Sequence, residues 1–218
     1  MTDLTRRNYK VVKLKGGETS PAAKWLDGAN KAVIDNYPWG PLSADDFRPK
    51  AEARVAHDDQ SLYVYMETDD NNLRAQTQEF GHVHTDCCME FFLSPAPESS
   101  QQYINWEFNP VGGMYLSIGT SRFDRVPIIK TDYRELFRVS TESSDRGWNL
   151  EITIPLSFLQ TFFPSLELKA GHEMKGNFYK CGDQCPRPHY GCWSPIDPKK
   201  LAAPDFHCPI FFGTLTLD

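Results

Sequence analysis

The clearest hydrophobic periodicity lies between Thr85 and Gly119. In the first half, Met89, Phe91 and Leu93 alternate with Asp86, Cys88 and Glu90. In the second, Ile104, Trp106 and Phe108 alternate with Tyr103, Asn105, Glu107 and Asn109. A period of two predicts paired strands with two unlike faces. The apolar set, Trp106 included, is expected to enter a core. The other set carries carboxylates and amides where a solvent face would ordinarily carry Lys, Thr and Ser. Same-face neighbours on a strand lie about 7 Å apart and paired strands about 4.8 Å apart. Asp86, Glu90, Asn105, Glu107 and Asn109 are therefore expected to form one polar patch. Such a patch suits a ligand rich in hydroxyl groups; the alternative is a solvated face with incidental acids.

The same pattern predicts further strands at Tyr9–Leu14, Ala51–Ala56, Leu62–Thr68, Gly147–Ile154, Lys175–Cys181 and Phe211–Leu217. The turn His57-Asp58-Asp59-Gln60 joins two of them into a hairpin. Pro155 stops the Gly147 strand, and Leu156–Phe163 reads as one or two turns of helix. Ala22–Ile34 has weak helical spacing around Trp25, and Phe123–Val139 holds short strands and turns. In Asn36-Tyr37-Pro38-Trp39-Gly40-Pro41, the prolines stiffen an aromatic loop. Trp39 is there either a buried plug or an exposed stacking surface. Many short strands separated by turns, with hardly any helix and no internal repeat, predict an all-β chain. The expected architecture is a two-sheet antiparallel β-sandwich of immunoglobulin-like or jelly-roll type, with one or two short helices, forming a single domain over residues 1–218.

Composition narrows the function. The 218 residues are 13% aromatic, enough for a substantial core, and the net charge of −6 argues against a nucleic-acid partner. No run of 18 apolar residues is present, so no membrane-spanning helix is expected. The basic N-terminus lacks an apolar stretch after it, so it does not read as a signal peptide. The expected location is the cytoplasm, or outside it if a leader has been removed. Six cysteines, Cys87, Cys88, Cys181, Cys185, Cys192 and Cys208, are expected as reduced thiols in a chain too long to need a disulfide framework.

Three stretches carry a resemblance to a known family. They are Val55–Tyr65; Asp86–Leu93 with Tyr103–Asn109; and Gly176–Cys181 with Trp193-Ser194-Pro195 and the terminal Pro209–Gly213. Together they make the chain resemble the family 9 carbohydrate-binding modules in their stand-alone form, which are related to DOMON-like sandwiches. The resemblance implies a non-catalytic, saccharide-binding β-sandwich, often with calcium. It implies sugar held between tryptophans beside amide and charged groups. Trp193 is then the stacking candidate, Trp39 its partner, and Asn177 a hydrogen-bonding position, with Tyr179 on the same strand face. A cysteine-rich loop departs from the family pattern, and no attached catalytic domain is expected.

Other chemistry has to be weighed. Glu90 and Glu107 are candidates for the acid and base of a glycoside hydrolase or lyase, which needs two carboxyls at a set separation across a cleft. Asp69-Asp70-Asn71-Asn72 is a turn whose oxygens can bind calcium, with Asp69 and Asp70 as the ligands. Cys181, Cys185, His189 and Cys192 are zinc-ligand types, although their spacing is not paired CxxC and a Cys185–Cys192 disulfide is the alternative in an exported protein. DOMON relatives can bind haem through Met and His, for which Met66, Met89 and His84 are available.

Overall fold

Each strong alternation folds as a strand. The computed structural model describes residues 4–15, 25–71, 73–78, 80–129 and 131–218. Among them run β1 (Asn8–Lys13), β2 (Ala32–Ile34), β3 (Ala51–His57), β4 (Ser61–Thr68), β5 (Cys88–Ser94), β6 (Tyr103–Phe108), β7 (Met114–Gly119) and β8 (Val126–Pro127). Then follow α1 (Tyr133–Leu136), β9 (Ser140–Ser144), β10 (Gly147–Pro155), α2 (Leu156–Gln160), β11 (Glu173–Cys181), β12 (Tyr190–Cys192) and β13 (Gly213–Leu217). The expected helix around Ala22–Ile34 is not formed in its described part. A single 3-10 turn, Leu26–Gly28, precedes β2, and residues 22–24 lie outside the described set, as does Asn72. No described helix is long and apolar enough to cross a membrane.

The first sheet has the order β8-β7-β6-β5-β11-β13-β1, with β12 beside β11; the second runs β1-β3-β4-β10-β9, with β2 beside β3. β1 belongs to both. Its first residues pair with β13 and its last two with β3, both in parallel. The antiparallel expectation therefore holds except at β1. Parallel pairing needs a long crossover rather than a hairpin, and both partners of β1 lie far from it in the chain.

The main core lies between the sheets and takes the apolar face read from the sequence. Met89, Phe91, Leu93, Ile104, Trp106 and Phe108 are all buried in it. Phe91 stacks on Phe178 at 4.9 Å and packs 6.0 Å from Trp106. From β4 and β10 come Val64, Met66, Leu150 and Ile152.

The other face of the first sheet is covered as well. Trp39, Val83, Phe92, Tyr103, Tyr179, Ile196, Phe206, Phe211 and Phe212 form a second core over it. Trp39 is therefore a plug: its ring packs edge-on to Tyr190 at 6.3 Å, and its indole N–H donates to Leu201 O at 2.7 Å. Every residue of β5 and β6 is buried.

At the end of β11 the inner face closes on an ion cluster. Lys180 is fully buried, and its Nζ donates to His189 Nε2 at 2.7 Å and to Cys181 O at 3.0 Å, while pairing with Asp70 Oδ2 at 2.9 Å. Cys87 Sγ donates to Asp70 Oδ2 at 3.0 Å. An ammonium accepts nothing, so His189 Nε2 must be the acceptor and its Nδ1–H donates to Arg187 O at 2.8 Å. Burial, then the Lys180 charge, push the His189 pKa down to about 3. The expected calcium pair is thereby separated: Asp70 faces the Lys180 ammonium, while Asp69 Oδ1 accepts the backbone N–H of Lys50.

Candidate saccharide cleft

β5, β6, β7 and β11 set one row of side chains across the outer face of the first sheet. Tyr115 is opposite Glu107, Glu107 opposite Glu90, and Glu90 opposite Tyr179. A cavity of about 470 Å³ opens above this row, within the usual size of small-ligand sites. Glu90, Glu107, Tyr115 and Cys181 reach it from the sheet. Its walls bring His82 and His84, Arg122 and Arg125, Asp183 and Tyr190, and the segment Pro204–His207.

Loop-to-loop contacts hold these walls. Asp183 N donates to His84 O at 3.3 Å, and Gln184 N to Thr85 O at 3.2 Å. Arg122 Nε donates to Asp205 Oδ1 at 3.1 Å, joining the β7–β8 turn to the segment before β13. Phe206 stacks on Tyr179 at 4.0 Å and so takes that ring's face. Tyr115 stays half-buried, with the Arg125 guanidinium 5.8 Å from its ring centre.

The two facing carboxyls are unusual. Both are 3% exposed, and like charges directly opposite on paired strands repel. Burial raises Glu90 to about 7, although the Cys181 thiol donates to its Oε1 at 2.9 Å. Burial, then the Glu90 charge, hold Glu107 well above the ordinary carboxylate range. Glu107 Oε1 accepts from Asn105 Nδ2 at 2.9 Å, and Asn105 Oδ1 accepts from Ser117 Oγ at 2.5 Å. Asn105 thus fixes the carboxyl rather than facing a ligand. Glu107 Oε2 and Arg125 Nη1 are buried with no hydrogen-bond partner among the described residues. Arg125 Nη1 lies 3.8 Å from Glu107 Oε1, and His84 Nδ1 lies 3.9 Å from Oε2. Buried polar groups are nearly always paired, and among the cavity's residues these two atoms are the exceptions.

The polar patch expected from alternation is split. Glu90, Asn105 and Glu107 stay together. Asp86 instead pairs with Arg74, accepts from the backbone of Gln76 and Thr77, and accepts from Asn109 Nδ2 at 2.9 Å. Asn109 also binds Thr77 O and the N–H of Gly113, so both residues tie down the approach to β5. Asn177 is likewise structural: its amide donates to Ser194 O at 2.9 Å and accepts from Ser194 N at 2.8 Å. Tyr179 OH donates to Phe206 O.

Trp193 is corrected most clearly. It is 3% exposed and packs in the main core, edge-on to Phe178 at 5.6 Å and to Tyr9 at 6.2 Å. The ring needs Gly213 opposite it, where a Cβ would stand 2.5 Å from the indole. Neither tryptophan named from the resemblance lines the cleft. Its aromatic surface comes from Tyr115, Tyr190 and Phe206, and its positive charge from Arg122 and Arg125. Tyr115 was detectable in the sequence, since it alternates with Met114, Leu116 and Ile118 just as Glu107 does with its neighbours. The wall residues lie in loops whose return to this face is a tertiary matter.

The expected zinc quartet is dispersed. Cys181 faces the cleft, Cys185 lies beside Gly182, His189 binds Lys180, and Cys192 Sγ lies 3.3 Å from Asn36 Oδ1. Cys185 and Cys192 are not joined, and all six thiols are free. The haem candidates are also divided: Met66 and Met89 are in the main core, while His84 is on the cleft wall.

With this geometry in place, the chain can be set beside known proteins. The model of carbohydrate-binding family 9 matches residues 20–217. No curated protein matches. Among solved structures, a provisionally assigned carbohydrate-binding protein from Bacteroides uniformis ATCC 8492 is 29% identical, with a TM-score of 0.80 over 98% of this chain and 100% of its own. A family 9 module from Caldicellulosiruptor kristjanssonii in complex with cellotriose is 13% identical, with a TM-score of 0.67 over 97% and 94%. The same organism's module in complex with glucose is 14% identical, with a TM-score of 0.61 over 97% and 96%.

Proposed function

The chain belongs to carbohydrate-binding family 9 and is a non-catalytic carbohydrate-binding protein; from that premise we propose that the Glu90–Glu107 cleft is where it holds its saccharide. One observation carries the assignment. Glu107 Oε2 and Arg125 Nη1 are buried, belong to residues that line the same cavity, and have no hydrogen-bond partner among the described residues. A sugar hydroxyl both donates and accepts, so one hydroxyl can satisfy a carboxyl oxygen and a guanidinium N–H together. The faces of Tyr115 and Tyr190 supply apolar surface for the C–H side of the ring. Burial, then the Glu90 charge, shift the Glu107 carboxyl toward its protonated form, whose O–H can donate.

The arrangement suits binding rather than hydrolysis. A glycosidase sets two carboxyls on either side of the scissile bond. Glu90 and Glu107 instead rise side by side from neighbouring strands on one floor. The related modules carry cellotriose and glucose, so cellooligosaccharides are the first probes. Titration calorimetry should detect their binding by the parent protein, with sharp loss in Glu107→Leu and little change in Glu107→Gln, which keeps a donor in place. Undiminished binding by Glu107→Leu would move the saccharide elsewhere on the molecule. A glycan array then defines the sugar.

A further inference from the structure

We propose that Cys88, Glu90 and Cys181 form a site for one thiophilic divalent cation of the zinc class at the floor of the cleft. The three donors come from two hydrogen-bonded strands. Cys88 on β5 is directly opposite Cys181 on β11, and Glu90 lies two residues along β5 on the same face. Their ligand atoms all lie within 4.8 Å of one another, and Cys181 Sγ is 2.9 Å from Glu90 Oε1. Around tetrahedral zinc, with bonds of about 2.0–2.3 Å, neighbouring ligand atoms stand about 3.3–3.8 Å apart. The trio therefore needs only small side-chain shifts to close on an ion.

Strands hold such a trio more rigidly than loops do. Three protein ligands with a fourth position free are the pattern of an open zinc site rather than a sealed structural one. The free position faces the cavity, because Glu90 and Cys181 both line it. A second feature points to the same place. Glu107, 3% exposed and opposite Glu90, has no hydrogen-bond partner for its Oε2 among the described residues, which leaves that oxygen open to accept from a water on the ion. Charge agrees too: two thiolates and a carboxylate supply three negative charges, which a dication largely offsets, with the Arg125 guanidinium beside Glu107. The two thiol protons leave as the ion binds. This set differs from the loop quartet that sequence spacing offers, and shares only Cys181 with it.

The test uses the full chain, reduced and stripped with a chelator. Cadmium is added and thiolate-to-metal absorption is followed in the ultraviolet; zinc is then titrated against a chromophoric chelator. One equivalent should bind and protons should be released. Cys88→Ser and Cys181→Ser should each weaken zinc by more than about 100-fold, beyond the loss seen when only an outer partner is removed. Cys87→Ser and Cys185→Ser should leave the affinity unchanged. The cadmium signal of the unaltered protein keeps the test valid if a variant fails to fold. Absence of thiolate absorption in the reduced protein would overturn the proposal. So would uptake that survives both Cys88→Ser and Cys181→Ser. A Cys88–Cys181 disulfide, seen by mass spectrometry as the loss of two hydrogens, would overturn it if no metal binds after reduction. No sugar enters these measurements, so the metal site and the saccharide reading fail separately.

Discussion

Replacing Lys180 by Met removes a charge while keeping the length and bulk of the side chain. The parent ammonium is fully buried and lies 2.9 Å from Asp70 Oδ2, in a residue only 1% exposed. Burial alone would raise the Asp70 pKa; the Lys180 charge, together with the hydrogen bonds from Cys87 and Lys180, outweighs it and keeps the carboxyl below its ordinary range. In Lys180→Met that carboxylate stays buried but loses the ammonium 2.9 Å away. Breaking a buried pair on one side costs about 3–5 kcal/mol. With a urea dependence of about 1–3 kcal/mol per molar, the unfolding midpoint should fall by about 1 M or more, with the slope unchanged. The double variant Lys180→Met/Asp70→Asn removes the stranded charge and should be more stable than Lys180→Met alone. Urea titration in reducing buffer, followed by circular dichroism, measures all three proteins. A single-variant cost below about 1 kcal/mol would refute the reasoning, as would a double variant whose loss equals the sum of the two singles.

Trp193→Ala should destabilise the fold by about 3–5 kcal/mol, as for other large core aromatics, while the folded fraction keeps its saccharide affinity; selective loss of binding at full stability would return Trp193 to the site. Arg125→Gln should weaken saccharide binding by about 1.5–3 kcal/mol, the worth of a hydrogen bond to a charged group, or roughly 10–150-fold by calorimetry. His207 is buried, accepts or donates at Tyr103 OH at 2.9 Å, and is pushed by burial down to about 2. Its unfolded pKa is about 6.5, so the unfolded chain binds the extra proton first. Its contribution is complete above pH 6.5 and is lost as pH falls toward the folded value. Between pH 4 and 6.5 the stability difference between the parent and His207→Gln should therefore change by about 1.4 kcal/mol per pH unit; parallel unfolding curves would contradict a neutral, buried His207.

Strand positions and the main core were readable because alternation survives any tertiary arrangement. Met89, Phe91 and Leu93 face inward with Ile104, Trp106 and Phe108, as their spacing requires. The meaning of the opposite face was harder to read. Phe92 and Tyr103 lie on it beside Glu90 and Asn105, and a second core covers much of it. Asp86, Asn109 and Asn177 share its parity but spend their hydrogen bonds on backbone near the strand ends. A polar side chain on a buried face must find a partner, and the sequence does not say whether that partner is a loop or a ligand. Trp193 shows the same limit from the apolar side: a large ring close to a strand end can stack on sugar or fill the core, and the Cβ-free position at Gly213, distant in sequence, decides it.

The cysteines show why register, not local spacing, governs this chain's chemistry. Cys181, Cys185, His189 and Cys192 look like one loop-borne set because they are close in sequence. Successive residues on a strand point to opposite faces, so at the paired ends of β5 and β11 neighbours are sent apart. Cys87 meets Asp70 and Lys180 on the inner side, while Cys88 meets Cys181 on the outer side. The two clusters are back to back across one layer of backbone. The inner one is neutralised by a lysine that the chain supplies. The outer one gathers two thiols and two carboxyls near the Arg125 guanidinium, and it opens to the cleft. With its charge balanced from within, the inner cluster is a structural anchor, whereas the outer one is where the proposed cation would supply the positive charge.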